Sequence, residues 1–139
     1  MLEHLPNKFR ICFFDSGMNF QALKLKNMMD AREIPEETQT EMLKMIRVER
    51  VRTLDRLATK LKYIKANPKL HNDIKVIMID SITSLAYFYS GNYLRVTGSL
   101  RRVVRVLKTL ASRNIAVSPT KFHFTDWKFQ VPPLFRFSQ

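Results

Sequence analysis

One cysteine, three glycines and the lack of any long apolar run each remove a class of protein for this 139-residue sequence. Cys12 stands alone inside an apolar segment, so no disulfide framework exists. The histidines, His4, His71 and His123, lie far apart with no cysteine at metal-ligand spacing. They read as structural or solvent residues and not as a metal site. No apolar stretch approaches the roughly eighteen residues that a membrane span requires. The opening Met1-Leu-Glu-His-Leu-Pro6 lacks the charged start and apolar core of a signal peptide, so an intracellular chain is expected. The scarcest chemistry is negative charge: 24 Lys and Arg face 12 Asp and Glu, for a net +12. A field of that sign attracts polyanions, and nucleic acid is the commonest one inside cells. A solvated basic surface, or one that pairs with an acidic protein, satisfies the same number.

What is present is patterned for one globular domain. Hydrophobic residues make up 45% of the chain, enough for a modest core in a chain of this length. Phe9-Arg-Ile-Cys-Phe-Phe14 reads as a buried strand that runs into the turn Asp15-Ser16-Gly17. Asn19 is placed to cap a helix carrying Phe20, Leu23, Leu25, Met28 and Met29. Pro35 in a first turn, followed by Glu36 and Glu37, announces a second helix that carries Met42 and Leu43. From Met45 to Val51 apolar and polar residues alternate with the period of a strand. Thr53 can cap the next helix, whose Leu54, Leu57, Ala58, Leu61 and Ile64 share a face until Asn67-Pro68 ends it. Its basic residues Arg56, Lys60 and Lys62 read as ordinary solvated surface.

The segment Ile74-Lys-Val-Ile-Met-Ile79 is a β-branched strand that leads into Asp80 and Ser81. A connection rich in Tyr and Gly follows. Leu100, Val103, Val104, Leu107, Leu110 and Ala111 then form an apolar helical stripe opposite Arg101, Arg105 and Lys108. Ile115-Ala-Val117 is a short strand stopped by Pro119. Strands alternating with helices predict an α/β domain with a mostly parallel sheet flanked by helices over residues 1–117. The tail from Ser118 to Gln139 differs in character. It holds Phe122, Phe124, Trp127, Phe129, Phe135 and Phe137 with three prolines and no periodicity. It reads as a partner-binding arm, or as a terminus introduced by alternative splicing or by the choice of gene model.

An apolar strand ending in Asp is the device by which P-loop ATPases aim a carboxylate at nucleotide-bound magnesium, at the sheet edge where α/β ligands bind. The same Asp can instead cap the following helix. Four collinear segments extend this signal. Phe13-Phe-Asp-Ser-Gly-Met-Asn-Phe20 resembles the second core strand of RecA-type recombinases, with its Asp-Thr/Ser-Glu-Gly-x-Phe ending. Ile77-Met-Ile-Asp-Ser-Ile-Thr-Ser-Leu85 resembles their apolar Asp-Ser-x-Thr-x-Leu segment. Tyr89-Ser-Gly91 is similar to part of the family's first DNA-binding loop. The run from Leu100 to Leu110 resembles the long helix before the next core strand, here Asn114 to Val117. Order and spacing agree over roughly Arg10 to Val117, so the chain resembles a eukaryotic recombinase paralogue with a partial RecA-like core.

Two departures from the family bear on activity. No Gly-x-x-x-x-Gly-Lys-Ser/Thr cradle for phosphates occurs among these residues, whose glycines are Gly17, Gly91 and Gly98. The glutamate that orients the attacking water in the family is replaced by Gly17. The resemblance therefore implies a non-catalytic paralogue, with no cofactor of its own and with ATP and magnesium only in company with a partner. Asp80, Ser81 and Asp15 are then vestigial residues of a nucleotide and magnesium site. The implied partners are another recombinase paralogue, the recombinase filament and single-stranded DNA, in the nucleus and away from membranes. The absent phosphate-loop strand leaves a gap that a rearranged sheet or a partner must cover. Tyr89, Tyr93, Arg95, Arg101, Arg102 and Arg105 are the candidate DNA contacts, as aromatics for stacking beside cations for the backbone. The competing reading packs the aromatics into the core and leaves the arginines solvated. The alternative activity is an ATPase subunit completing a site whose phosphate loop comes from its neighbour.

Overall fold

In a computed structural model, residues 9–87 and 93–119 are described and form an α/β domain. Its elements are β1 (Arg10–Asp15), α1 (Ala22–Asp30), α2 (Glu36–Lys44), β2 (Ile46–Arg50), α3 (Leu54–Ala66), β3 (Ile74–Asp80), α4 (Ile82–Tyr87), α5 (Tyr93–Ala111) and β4 (Ala116–Pro119). The strands build a four-stranded sheet in the order β2-β1-β3-β4. All neighbours are parallel. The mostly parallel sheet expected from the sequence is wholly parallel in its described part, consistent with a partial RecA-like core.

Crossovers between parallel strands are right-handed, which assigns the helices to faces. The chain steps from β1 to β2 toward one edge, then returns over β1 to β3 and on to β4. The connection through α1 and α2 therefore lies on one face, and those through α3 and α5 lie on the other. Packing agrees with this division, since α3 lies along α5 and α2 meets β2. The core forms on the α3/α5 face. Cys12 and Phe14 of β1 and Ile77 and Ile79 of β3 join Leu54, Leu57, Leu61 and Ile64 of α3 and Val96, Val103, Val106, Leu107 and Leu110 of α5. Burying each large aliphatic side chain contributes about 1.5–3 kcal/mol, so this seam holds the domain together.

Local chemistry sets the helix ends. Thr53 caps α3 as its position suggests, its hydroxyl accepting from Arg56 N at 3.1 Å. Within α5 the buried row runs through Val96, Ser99, Val103, Val106, Leu107 and Leu110, while Val104 is half-buried and Ala111 exposed. Ser99 is fully buried because its Oγ donates to Asp55 Oδ1 at 2.7 Å, tying α5 to the first turn of α3. At the far end Arg113 donates to the Lys65 carbonyl at 2.8 Å, satisfying one of the carbonyls that α3 leaves open. Asn114 follows α5 with φ 62, a left-handed stop that asparagine tolerates.

Several boundaries differ from those expected. Asn19 does not cap α1; the residue before that helix is Gln21, which makes no side-chain cap bond. Of the apolar residues on α1 only Met29 is buried, while Leu23 is 70% exposed and Met28 is 46% exposed. Pro35 precedes the first turn of α2 as its cap residue. The short helix α4 was not expected, and α5 begins at Tyr93, so Arg95 is helical and not part of the connection. Pro119 ends β4 from inside the strand, which places Ser118 and Pro119 in the sheet and not in the tail. The segment 88–92 and the aromatic tail beyond Pro119 lie outside the described residues. No helix among the described residues is long and apolar enough to cross a membrane.

Cys12 sits in the middle of this core at 1% exposure. Burial pushes its thiol up to about 11 from 9.0; the Glu49 carboxylate adds to the rise, and Arg47, Lys60 and Arg10 oppose it. Only the thiolate alkylates, so two pH units remove roughly 100-fold of the reactive form before access is considered. The raised value favours the native state below pH 9, and that contribution fades as the pH climbs toward 11. Iodoacetamide at pH 8 is predicted to label Cys12 at least about 100-fold more slowly in the native chain than in denaturant, followed by mass spectrometry.

Candidate functional site

Strand order reverses between β1 and β3, since β1 continues outward to β2 and β3 outward to β4. In parallel α/β sheets ligands bind at the carboxyl edge beside such a reversal. The residues at that edge are Asp15-Ser16 on β1 and Asp80-Ser81 on β3, with Asp15 paired to Asp80 in register. The structure thus brings together the three residues expected at a nucleotide site, Asp15, Ser81 and Asp80. Their hydrogen bonds differ sharply.

Asp15 is turned into its own loop. Oδ1 accepts from Gly17 N at 3.2 Å and Asn19 N at 3.0 Å, and Oδ2 accepts from Phe20 N at 3.0 Å. The residue is 3% exposed, and three backbone donors replace the water its carboxylate has lost. This bonding explains the misplaced cap: Asn19 gives its amide to Asp15 instead of opening a helix. The loop closes with Met18 at φ 56, a left-handed conformation that suits glycine better. Gly17 has a close neighbour: a Cβ there would meet Asn19 Nδ2 at 2.7 Å.

Ser16 fastens β1 to the end of β3. Its N–H donates to the Asp80 carbonyl at 2.7 Å, and its hydroxyl donates to the same carbonyl at 2.8 Å, with the Ser81 carbonyl at 3.2 Å as a second acceptor. Ser81 N returns a bond to Ser16 Oγ at 2.8 Å. The Asp80–Ser81 peptide bond within this clasp is cis. Ser81 caps the following helix: its Oγ accepts from Ser84 N at 3.3 Å and pairs with Ser84 Oγ at 2.8 Å. Asp80 itself is half-buried on the outer side of the edge, with Asn19 Nδ2 3.5 Å from its Oδ2. Sequence reasoning had no sign of the roles of Ser16, Asn19 and Ser84, because the bonds that define the first span more than sixty residues.

The candidate DNA contacts divide. Arg95 lies on the first turns of α5 and faces Asp55 at 3.9 Å, so its charge is partly answered within the fold. Arg101, Arg102 and Arg105 are exposed on the outer side of α5 and make no ion pair among the described residues. The helix as a whole, YLRVTGSLRRVVRVLKTLA, carries five basic residues and no acidic one. Like charges one turn apart repel, so this row works against the helix by a few tenths of a kcal/mol per pair. Lys60, read as solvated surface, is half-buried in a salt bridge to Glu49, which Arg47 also contacts at 2.7 Å. Tyr89, with Ser90 and Gly91, lies outside the described residues, as does the side chain of Tyr93.

No protein-family model matches the chain, and no curated protein matches it. The site therefore speaks through its own geometry.

That geometry ranks the two carboxylates. Asp15→Ala strands three loop N–H groups beside a buried edge and is predicted to lower stability by about 2–4 kcal/mol. Asp80→Ala removes a carboxylate that keeps part of its hydration in the fold, and is predicted to cost less than Asp15→Ala. Urea unfolding followed by circular dichroism compares the two directly.

Proposed function

We propose that this chain is a non-catalytic paralogue of the RecA-type recombinases, which joins another paralogue and promotes recombinase filament assembly or remodelling on single-stranded DNA. Its setting is homologous recombination in the nucleus. The observation that carries the reading is the state of the strand edge. Asp15 and Ser16, which would have to face a nucleotide, are spent on holding their own loop and on clasping β1 to β3. A water-orienting glutamate is replaced by Gly17, which has no side chain to activate anything. What the domain offers outward is charge without chemistry. The acid-free α5 presents Arg101, Arg102 and Arg105 on one exposed flank, the arrangement that neutralises a phosphate backbone irrespective of sequence.

One observation favours a second reading, an ATPase subunit that completes a site with a neighbour's phosphate loop. Asp80 stays half-exposed at the strand reversal, where a carboxylate can reach a magnesium ion brought by another chain. ATP turnover by a complex that loses all activity on Asp80→Ala, with assembly intact, would establish that reading over the first.

Co-expression with each recombinase-family protein of the same organism is expected to yield a soluble stoichiometric complex with one of them. In that complex, replacing Arg101, Arg102 and Arg105 together by Ser is predicted to weaken single-stranded DNA binding. The slope of log affinity against log salt should fall by about 2, since each lost phosphate contact removes about 0.7. Absence of any complex, or a triple variant with unchanged affinity and slope, contradicts the proposal.

A further inference from the structure

Gly98 is a glycine that the described fold does not ask for. It lies in the interior of α5, between Tyr93 at its start and Ala111 at its end, where only proline is a poorer helix former. Its backbone is helical, so no left-handed conformation calls for it, and a Cβ built there would meet no described atom within 4 Å. Neither packing nor backbone geometry among the described residues accounts for the missing side chain. A glycine left open on a helix surface is suited to the close approach of something from outside. The positions three and four residues away on either side are its surface neighbours, with Cβ atoms about 5–6 Å apart. For Gly98 they are Leu94, Arg95, Arg101 and Arg102. All four are exposed, Leu94 by 82%. Arg95 keeps 64% of its side chain in solvent while facing Asp55 at 3.9 Å. Arg101 and Arg102 make no ion pair among the described residues. Three guanidiniums and one aliphatic side chain thus rim a notch whose floor is helix backbone, on a helix without an acid. Behind it Val96, Ser99 and Val103 are buried, which fixes the floor to the core.

We propose that the notch over Gly98 seats one phosphodiester of a single-stranded nucleic acid, held by Arg95, Arg101 and Arg102, with Leu94 against the adjoining nucleoside. This rests on the reading of α5 as a DNA-contacting helix and goes further, by naming the point of closest approach. Without a side chain at position 98 the phosphate can sink between the guanidiniums, which then close on it from three sides as charge-assisted donors. Arg105 continues the same flank one turn beyond Arg101 and Arg102, where the strand runs on. A carboxylate-bearing protein helix meets the same charge, but it needs a row of apolar anchors at i, i+3, i+4 and i+7. Here Leu94 is followed along the flank by Gly98, Arg101 and Arg105, so one apolar residue stands where a row is required. Strong charge with a single apolar contact per step suits a phosphate backbone.

Gly98→Gln fills the notch with a neutral side chain that favours the helix, so stability and binding should move in opposite directions. In the full chain the thermal midpoint, followed by circular dichroism, is expected to rise by a few degrees. Affinity for a fluorescein-labelled oligothymidylate should fall several-fold. The slope of log affinity against log salt should fall by about 0.7, one phosphate contact, although no protein charge has changed. Gly98→Ala, whose methyl blocks less, should gain stability with a smaller loss of affinity. Leu94→Ser should weaken the oligothymidylate more than an abasic oligomer of the same length, and equal losses overturn the part given to Leu94. A stabilised Gly98→Gln with unchanged affinity and slope overturns the proposal. If the triple replacement of Arg101, Arg102 and Arg105 still weakens binding, the DNA reading survives that result; if neither variant matters, both fall. A lower thermal midpoint in Gly98→Gln would show that the fold needs the glycine, and also overturns the proposal. So does a variant that binds DNA normally but no longer joins its paralogue, which gives the notch to a protein.

Discussion

The parallel pairing of β1 with β3 is the constraint on which the other elements depend. These strands are central in the sheet, and they supply Cys12, Phe14, Ile77 and Ile79 to the core against which α3 and α5 pack. Nearly sixty residues of loop must close before the two strands meet, an entropic cost that a ladder of backbone bonds and a buried apolar seam together offset. Ser16 adds a lock at the last register position, donating and accepting across the join. Because the same edge is where an α/β sheet presents its ligand site, the lock bears on the proposed function: the Ser16 groups that stabilise the join are already engaged within the fold.

Charge is the second feature on which the proposed function rests. The fold answers some of its basic residues internally, Arg10 with Asp73 at 3.1 Å, Lys60 with Glu49 and, more loosely, Arg95 with Asp55. Among the described residues it leaves Arg101, Arg102 and Arg105 without an ion pair, on the flank of a helix that has no acid at all. A helix under selection for stability alone would be expected to intersperse carboxylates there. A row kept positive at some cost to the helix suits a polyanionic partner.

Much of the fold was legible in the sequence, for physical reasons that can be named. The α3 helix has a cap in Thr53 and an apolar face of five residues that the structure buries to the last one, Ile64. β3 is a run of β-branched residues between turn signals, and a buried parallel strand has no need of polar alternation. What escaped was short or long-range. The six residues of α4 are too few to show a helical period, and its cap, Ser81, looked like part of a nucleotide motif. At α1 the capping rule chose Asn19, but a carboxylate at the end of the preceding strand had already claimed its amide. In the site, the convergence of Asp15, Asp80 and Ser81 was readable from strand endings alone. Their roles were not, since a hydroxyl at position 16 bonding to residues 80 and 81 leaves no trace in local sequence. Arg95 was read as part of the connection rich in Tyr and Gly, and only the packing of α5 along α3 brings Asp55 to it.

The central claim is that the carboxyl edge of β1 and β3 is a structural closure and not a nucleotide cradle. Amide hydrogen exchange at Ser16, Gly17, Asn19, Phe20 and Ser81 tests it most directly, because these are the donors that hold the edge shut. A closed edge predicts slow exchange at all five, at rates that magnesium and ATP leave unchanged, with or without a bound partner. Rapid exchange in the free chain that slows when magnesium and ATP are added would show an edge waiting for a ligand, and would contradict the account.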